Sequence, residues 1–96
     1  MPSTIVTVPE YQLKLRDAIA RMKPVTARFP RDPQLQSILK QLEALQQWTA
    51  NDLPPSLEEQ ARLNFGLLAS KYLDSVDDEL AQLIYDIASF VTYWDE

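Results

Sequence analysis

The amino-acid sequence predicts an all-α protein, a single small up-down bundle of about four helices spanning residues 1–96. Apolar residues recur at intervals of three and four in four separate stretches, the spacing that gathers side chains onto one face of a 3.6-residue helix. A helix-start signal precedes each stretch. No segment alternates apolar and polar residues in the manner of a strand, and the chain holds one glycine. A chain of 96 residues is long enough for one core, though with little surplus stability.

The first helix is expected near 8–22. Thr7 can cap it, Glu10 can reach back, and Pro9 is tolerated in a first turn. Tyr11, Leu15, Ala18, Ile19 and Met22 form its buried stripe. Pro24 removes a backbone donor and clashes with the carbonyl of Ala20, so the helix is expected to kink or break near Lys23. Pro30 then favours an extended Phe29. A second helix, near 33–49, starts at Asp32 as cap with Pro33 as its first residue. It buries Leu35, Ile38, Leu39, Leu42, Leu45 and Trp48.

The loop through Asn51 and Pro55 leads to a third helix near 56–73, opened by the capping box of Ser56 and Glu59. Its stripe is Leu57, Ala61, Phe65, Leu68 and Tyr72. Gly66 lies inside it at a cost of about 1 kcal/mol against alanine, which points to close contact with a neighbouring helix. An acidic turn from Asp74 to Asp78 leads to a fourth helix near 78–93, whose dipole suits acids at its start. Leu80, Leu83, Ile84, Ile87, Ala88 and Val91 are its buried face. Short connections imply antiparallel neighbours.

The net charge of −5 conceals an asymmetry. Residues 1–50 carry seven Lys/Arg against four Asp/Glu, a net +3, whereas residues 51–96 carry two against ten, a net −8. Phosphate recognition needs a clustered basic footprint, so no nucleic-acid partner is expected. An acidic half can instead steer the approach of a basic protein. The chain has neither cysteine nor histidine, which removes thiolate and imidazole metal ligands, disulfides and the usual neutral-pH base. No catalytic residue, cofactor or metal site is expected, and the protein is not expected to be an enzyme. The N-terminus shows no basic region followed by an apolar run, and no stretch is long and apolar enough for a span. A soluble cytoplasmic protein without a membrane partner, monomeric or weakly dimeric, is the expectation.

Asp74, Asp77, Asp78 and Glu79 are dense enough to raise calcium binding or acid–base chemistry. Calcium loops turn sharply at a glycine, which this turn lacks, and catalysis needs a pocket to shift a pKa. Helix capping, solvation and a protein-binding patch remain. Tyr85, Tyr93 and Trp94 are not accounted for by the main stripe and lie near Asp86, Asp95 and Glu96, an interface-like composition. The expected partner-binding surface is therefore Glu58, Glu59, Asp74, Asp77, Asp78, Glu79, Asp86, Tyr93 and Trp94.

Several segments taken together resemble a known family. They are Pro9, Glu10 and Tyr11, the break at 27–30 (ARFP), 39–42 (LKQL), and above all 62–72 (RLNFGLLASKY), which leads through the acidic turn to 77–80 (DDEL) and Tyr85. This order resembles the small helical immunity proteins of bacterial type VI secretion systems, in the family that neutralises an NAD(P)+ glycohydrolase effector toxin. The resemblance implies a cytoplasmic inhibitor with no chemistry of its own, binding its cognate toxin and blocking the active site sterically. Pro24 departs from the pattern, falling where an unbroken helix is expected. A small acidic adaptor or secretion chaperone for a basic protein is the alternative reading.

Overall fold

The computed structural model describes Ile5 and residues 7–94. Helix α1 runs Val8–Arg28, α2 Pro33–Trp48, α3 Leu57–Ala61 and α4 Phe65–Leu68; α4 continues as a π-helical turn, Ala69–Leu73, and α5 runs Asp78–Tyr93. No strand occurs among the described residues. The all-α class and the up-down arrangement hold, with one predicted helix divided.

Thr7 caps α1, its Oγ1 accepting from the Glu10 amide at 3.3 Å. The buried face is Tyr11, Leu15, Ala18, Ile19, Met22, Val25 and Thr26. Of the kink or break expected near Lys23, the break does not occur: the helix passes through Pro24 to Arg28. A proline inside a helix costs about 3 kcal/mol, and tertiary contacts offset that cost here. Val25 and Thr26 are buried beyond the proline. The Thr26 hydroxyl donates to the Lys23 carbonyl at 2.9 Å. From α2, the Gln36 amide donates to the carbonyls of Thr26 and Phe29 at 3.1 and 3.3 Å, closing the end of α1.

Asp32 caps α2 as expected, accepting from the amides of Gln34 and Leu35. Leu35, Ile38, Leu42 and Leu45 are buried, and Leu39 and Trp48 pack against the core with part of their surface exposed. Asp77 caps α5 by accepting from the Leu80 amide at 3.1 Å. Leu80, Ala81, Ile84, Ile87 and Val91 are its buried positions, with Leu83 and Ala88 half-buried.

The predicted 56–73 helix is the main correction. Its capping box is present, with the Ser56 amide donating to Glu59 at 2.8 Å and the Glu59 amide to Ser56 at 3.1 Å. The helix nevertheless stops after Ala61 and restarts at Phe65. The cause lies on α2. Gln41 accepts from the Asn64 backbone amide at 2.7 Å, the donor a continuous helix would use internally, and donates to the Asn64 side-chain oxygen at 2.6 Å. Within the π turn the Asp74 amide donates to the Ala69 carbonyl, five residues back, at 2.9 Å. Such a turn holds one residue more than an α-turn, so the inward face becomes Phe65, Ala69 and Leu73. Of the expected stripe, Phe65 is buried and Leu68 half-buried, while Ala61 is exposed, Leu57 is 81% exposed and Tyr72 40%.

Gly66 fits the expected close approach. A Cβ placed there would lie 3.3 Å from the Ala88 Cβ of α5, tighter than ordinary contact. Helices α1, α2, α4 and α5 alternate in direction around one apolar core, to which Ile5 adds a buried side chain. One end of the bundle is marked by Tyr11, whose ring stacks on Phe90 at 5.0 Å and lies 4.9 Å from Trp94.

Candidate partner-binding surface

Beneath those rings is a buried polar cluster. Tyr11 Oη lies 2.9 Å from the hydroxyl of Thr49, itself fully buried just beyond α2. The Thr49 hydroxyl donates to the Leu45 carbonyl at 2.8 Å. With that single proton committed, Tyr11 is the donor to Thr49. Gln12 donates to the Thr49 carbonyl at 2.7 Å and to Asp52 at 3.3 Å, fixing a loop in which Asp52 has φ of 64°. Burial is the main influence on the Tyr11 phenol and pushes it up to about 12. A neutral phenol with a satisfied hydroxyl is a structural group, and it ties three helix ends together.

Eight of the nine expected surface residues divide between the two ends of the bundle, and Asp86 lies midway along α5. Asp74, Asp78 and Glu79 are exposed on the turn into α5, and Asp77 is partly committed to its cap. Tyr93 and Trp94 lie at the far end of α5, a helix of sixteen residues and hence about 24 Å long at a 1.5 Å rise. Glu58 and Glu59 are on α3, which leads into α4 beside Ala88 and so lies nearer that far end. Glu59 is held in its capping box, and Glu58 pairs with Arg62 at 3.3 Å with both side chains exposed. Asp86 is half-buried and accepts from Gln82 at 3.1 Å. It sits two residues from Ala88, on a different side of α5.

The two terminal aromatics differ. Tyr93 is 62% exposed, whereas Trp94 packs against Phe90 at 5.1 Å and Tyr11 at 4.9 Å. Trp94 therefore closes the end of the core, and Tyr93 is the large aromatic open to contact there. Tyr85 packs against the core. Asp95 and Glu96 lie outside the described residues. Among the described residues, no three acids converge as they would around a metal ion.

Two surface features were not singled out from the sequence. A recess of about 490 Å³ at the α1–α2 turn is lined by Arg28, Phe29, Pro30, Arg31, Asp32, Pro33 and Gln34, with the Arg28 guanidinium 5.2 Å over the Phe29 ring. The prolines and arginines of 27–33 were the available signal. A groove of about 330 Å³ runs between Gln60, Leu63 and Leu67 on one side and Ala88 and Thr92 on the other, floored by Phe65 and Gly66. Asn64, where the helix breaks, is part of its lining, and periodicity does not encode that break.

No helix among the described residues is long and apolar enough to cross a membrane. No curated protein and no solved structure matches the chain. A model of the Tsi6 family does match, over residues 10–93, from the first turn of α1 to the last residue of α5. That match takes in the capped bundle, the interrupted helix and the acidic turn together, and the chain belongs to the Tsi6 family, a type VI secretion immunity family.

Proposed function

We propose that the protein neutralises a cognate interbacterial toxin in the cytoplasm of the producing cell, and that the toxin is an NAD(P)+ glycohydrolase. Membership of the immunity family over residues 10–93 carries the reading. Inhibition is steric: the bundle covers the entrance to the dinucleotide pocket, and neither partner's chemistry is needed for that. A chain without histidine or cysteine suits a role without turnover of its own.

The toxin-facing surface lies on the acidic half of the chain, at Glu58, Glu59, Asp74, Asp77, Asp78, Glu79, Asp86, Tyr93 and Trp94. The net −8 of residues 51–96 supports a basic partner whose encounter it accelerates. Exposed Tyr93 is of the type that anchors interfaces. A toxin that touches all of these residues lies along the α4–α5 side of the bundle.

Co-expression tests the reading. Bacteria making the cognate toxin should lose their dinucleotide pool and recover when this protein is supplied. Death with normal dinucleotide levels, still rescued by this protein, would overturn the toxin chemistry and leave immunity standing. Binding without rescue would favour a secretion adaptor or chaperone.

A further inference from the structure

We infer that the segment from Leu57 to Leu63 is a latched flap beside the groove between α4 and α5, held shut by Gln41. Three observations converge on it. Helix α3 has no buried residue, and Leu57, its first residue, is 81% exposed, so little apolar burial holds it down. Its far end is short of a regular helix, with Arg62 and Leu63 making only three-residue bonds back to Glu59 and Gln60 at 3.1 and 3.0 Å. Its attachment to the bundle at that end is the partial packing of Leu63 against the core and the reciprocal pair between Gln41 and Asn64, at 2.6 and 2.7 Å.

The other end is stiff. Pro54 and Pro55 precede the capping box, Pro55 is buried, and its carbonyl accepts from Gln60 at 3.3 Å. The movement therefore hinges at Pro55–Ser56 and is released at Asn64, swinging Gln60 and Leu63 off the groove wall. Local openings of this kind draw on segments with few buried contacts and exposed hydrogen bonds. Opening widens the groove toward Phe65, which is buried in the closed form, and carries Glu58 and Glu59 outward. The inference concerns the isolated chain and does not depend on the toxin.

The absence of cysteine makes thiol labelling a direct assay. Leu63→Cys places a reporter on the wall, and Ile84→Cys places a control in the core. The Leu63→Cys thiol should react well before the Ile84→Cys thiol. Adding Gln41→Ala should speed the Leu63→Cys reaction about tenfold, the effect of losing two exposed hydrogen bonds, with Ile84→Cys unchanged. Gln41→Glu keeps the acceptor for the Asn64 amide and should give a smaller increase. Hydrogen exchange on the unmodified protein gives an independent reading, with amides of 60–64 exchanging faster than those of the α2 and α5 cores. Equal labelling at the two cysteines, no response to Gln41→Ala, or uniform exchange across the chain would each overturn the flap.

Discussion

Replacing Leu73 and Tyr72 separately by alanine decides whether the third predicted helix carries a π turn. An uninterrupted α-helix built on Phe65 would point position 72 inward, seven residues on, and leave position 73 at the margin. In the structure Leu73 has no exposed surface and Tyr72 is 40% exposed. Leu73→Ala removes a fully buried side chain between α2, α5 and the π turn, a change that costs about 2–5 kcal/mol through lost transfer energy and the cavity left behind. Tyr72→Ala removes a larger side chain but leaves no enclosed cavity, and should cost less than about 1 kcal/mol. A domain of this size has about 5–10 kcal/mol of stability in total. With a urea m-value of about 1.5 kcal/mol/M, a 3 kcal/mol loss at Leu73 lowers the midpoint by about 2 M. Circular dichroism at 222 nm through a urea titration measures both variants. A larger shift for Tyr72→Ala than for Leu73→Ala would refute the π register.

Three further predictions concern other parts of the molecule. Ile87→Ala, at a fully buried site on α5, should cost about 2–5 kcal/mol, and Leu68→Ala, half-buried, distinctly less; thermal melts of the pair check the ranking. The Tyr11 phenol is pushed up to about 12 from an ordinary 10.0, so its contribution is complete below about pH 10 and is lost as pH rises through about 12. Tyr11→Phe should be less stable than the parent near neutrality, with the gap narrowing across that window; a gap constant from pH 9 to 12 would contradict the buried donor role. Charge reversal at exposed Asp74 and Glu79 should slow association with the toxin and flatten its salt dependence, whereas Tyr93→Ala should raise the off-rate. Surface plasmon resonance separates the two effects. Asp77 and Trp94 are poor test positions, because one caps α5 and the other closes the core.

Much of the fold was legible because the signals were local. Capping at Thr7, Asp32 and Ser56 depends on residues within three positions, and all three caps formed. The stripe Tyr11, Leu15, Ala18, Ile19 and Met22 is buried in full, and Gly66 marks a close helix approach, to Ala88. The acidic character of the second half also needs no structure, since charge adds without regard to fold.

What the sequence could not decide was set by partners distant along the chain. Pro24 stays helical because Gln36 and the burial of Val25 and Thr26 compensate a local penalty. The third helix breaks because Gln41, twenty-three residues away, claims the groups of Asn64. Leu73 is buried in place of Tyr72 because the π turn adds a residue to the register. Trp94 faces Tyr11 because α5 runs back to the start of α1. Periodicity and capping are properties of neighbours, so the sequence determined where helices begin and which faces seek burial. A single side-chain pair or one extra residue in a turn shifts a helix by about 1 kcal/mol or less per residue, and only the assembled bundle supplied those terms.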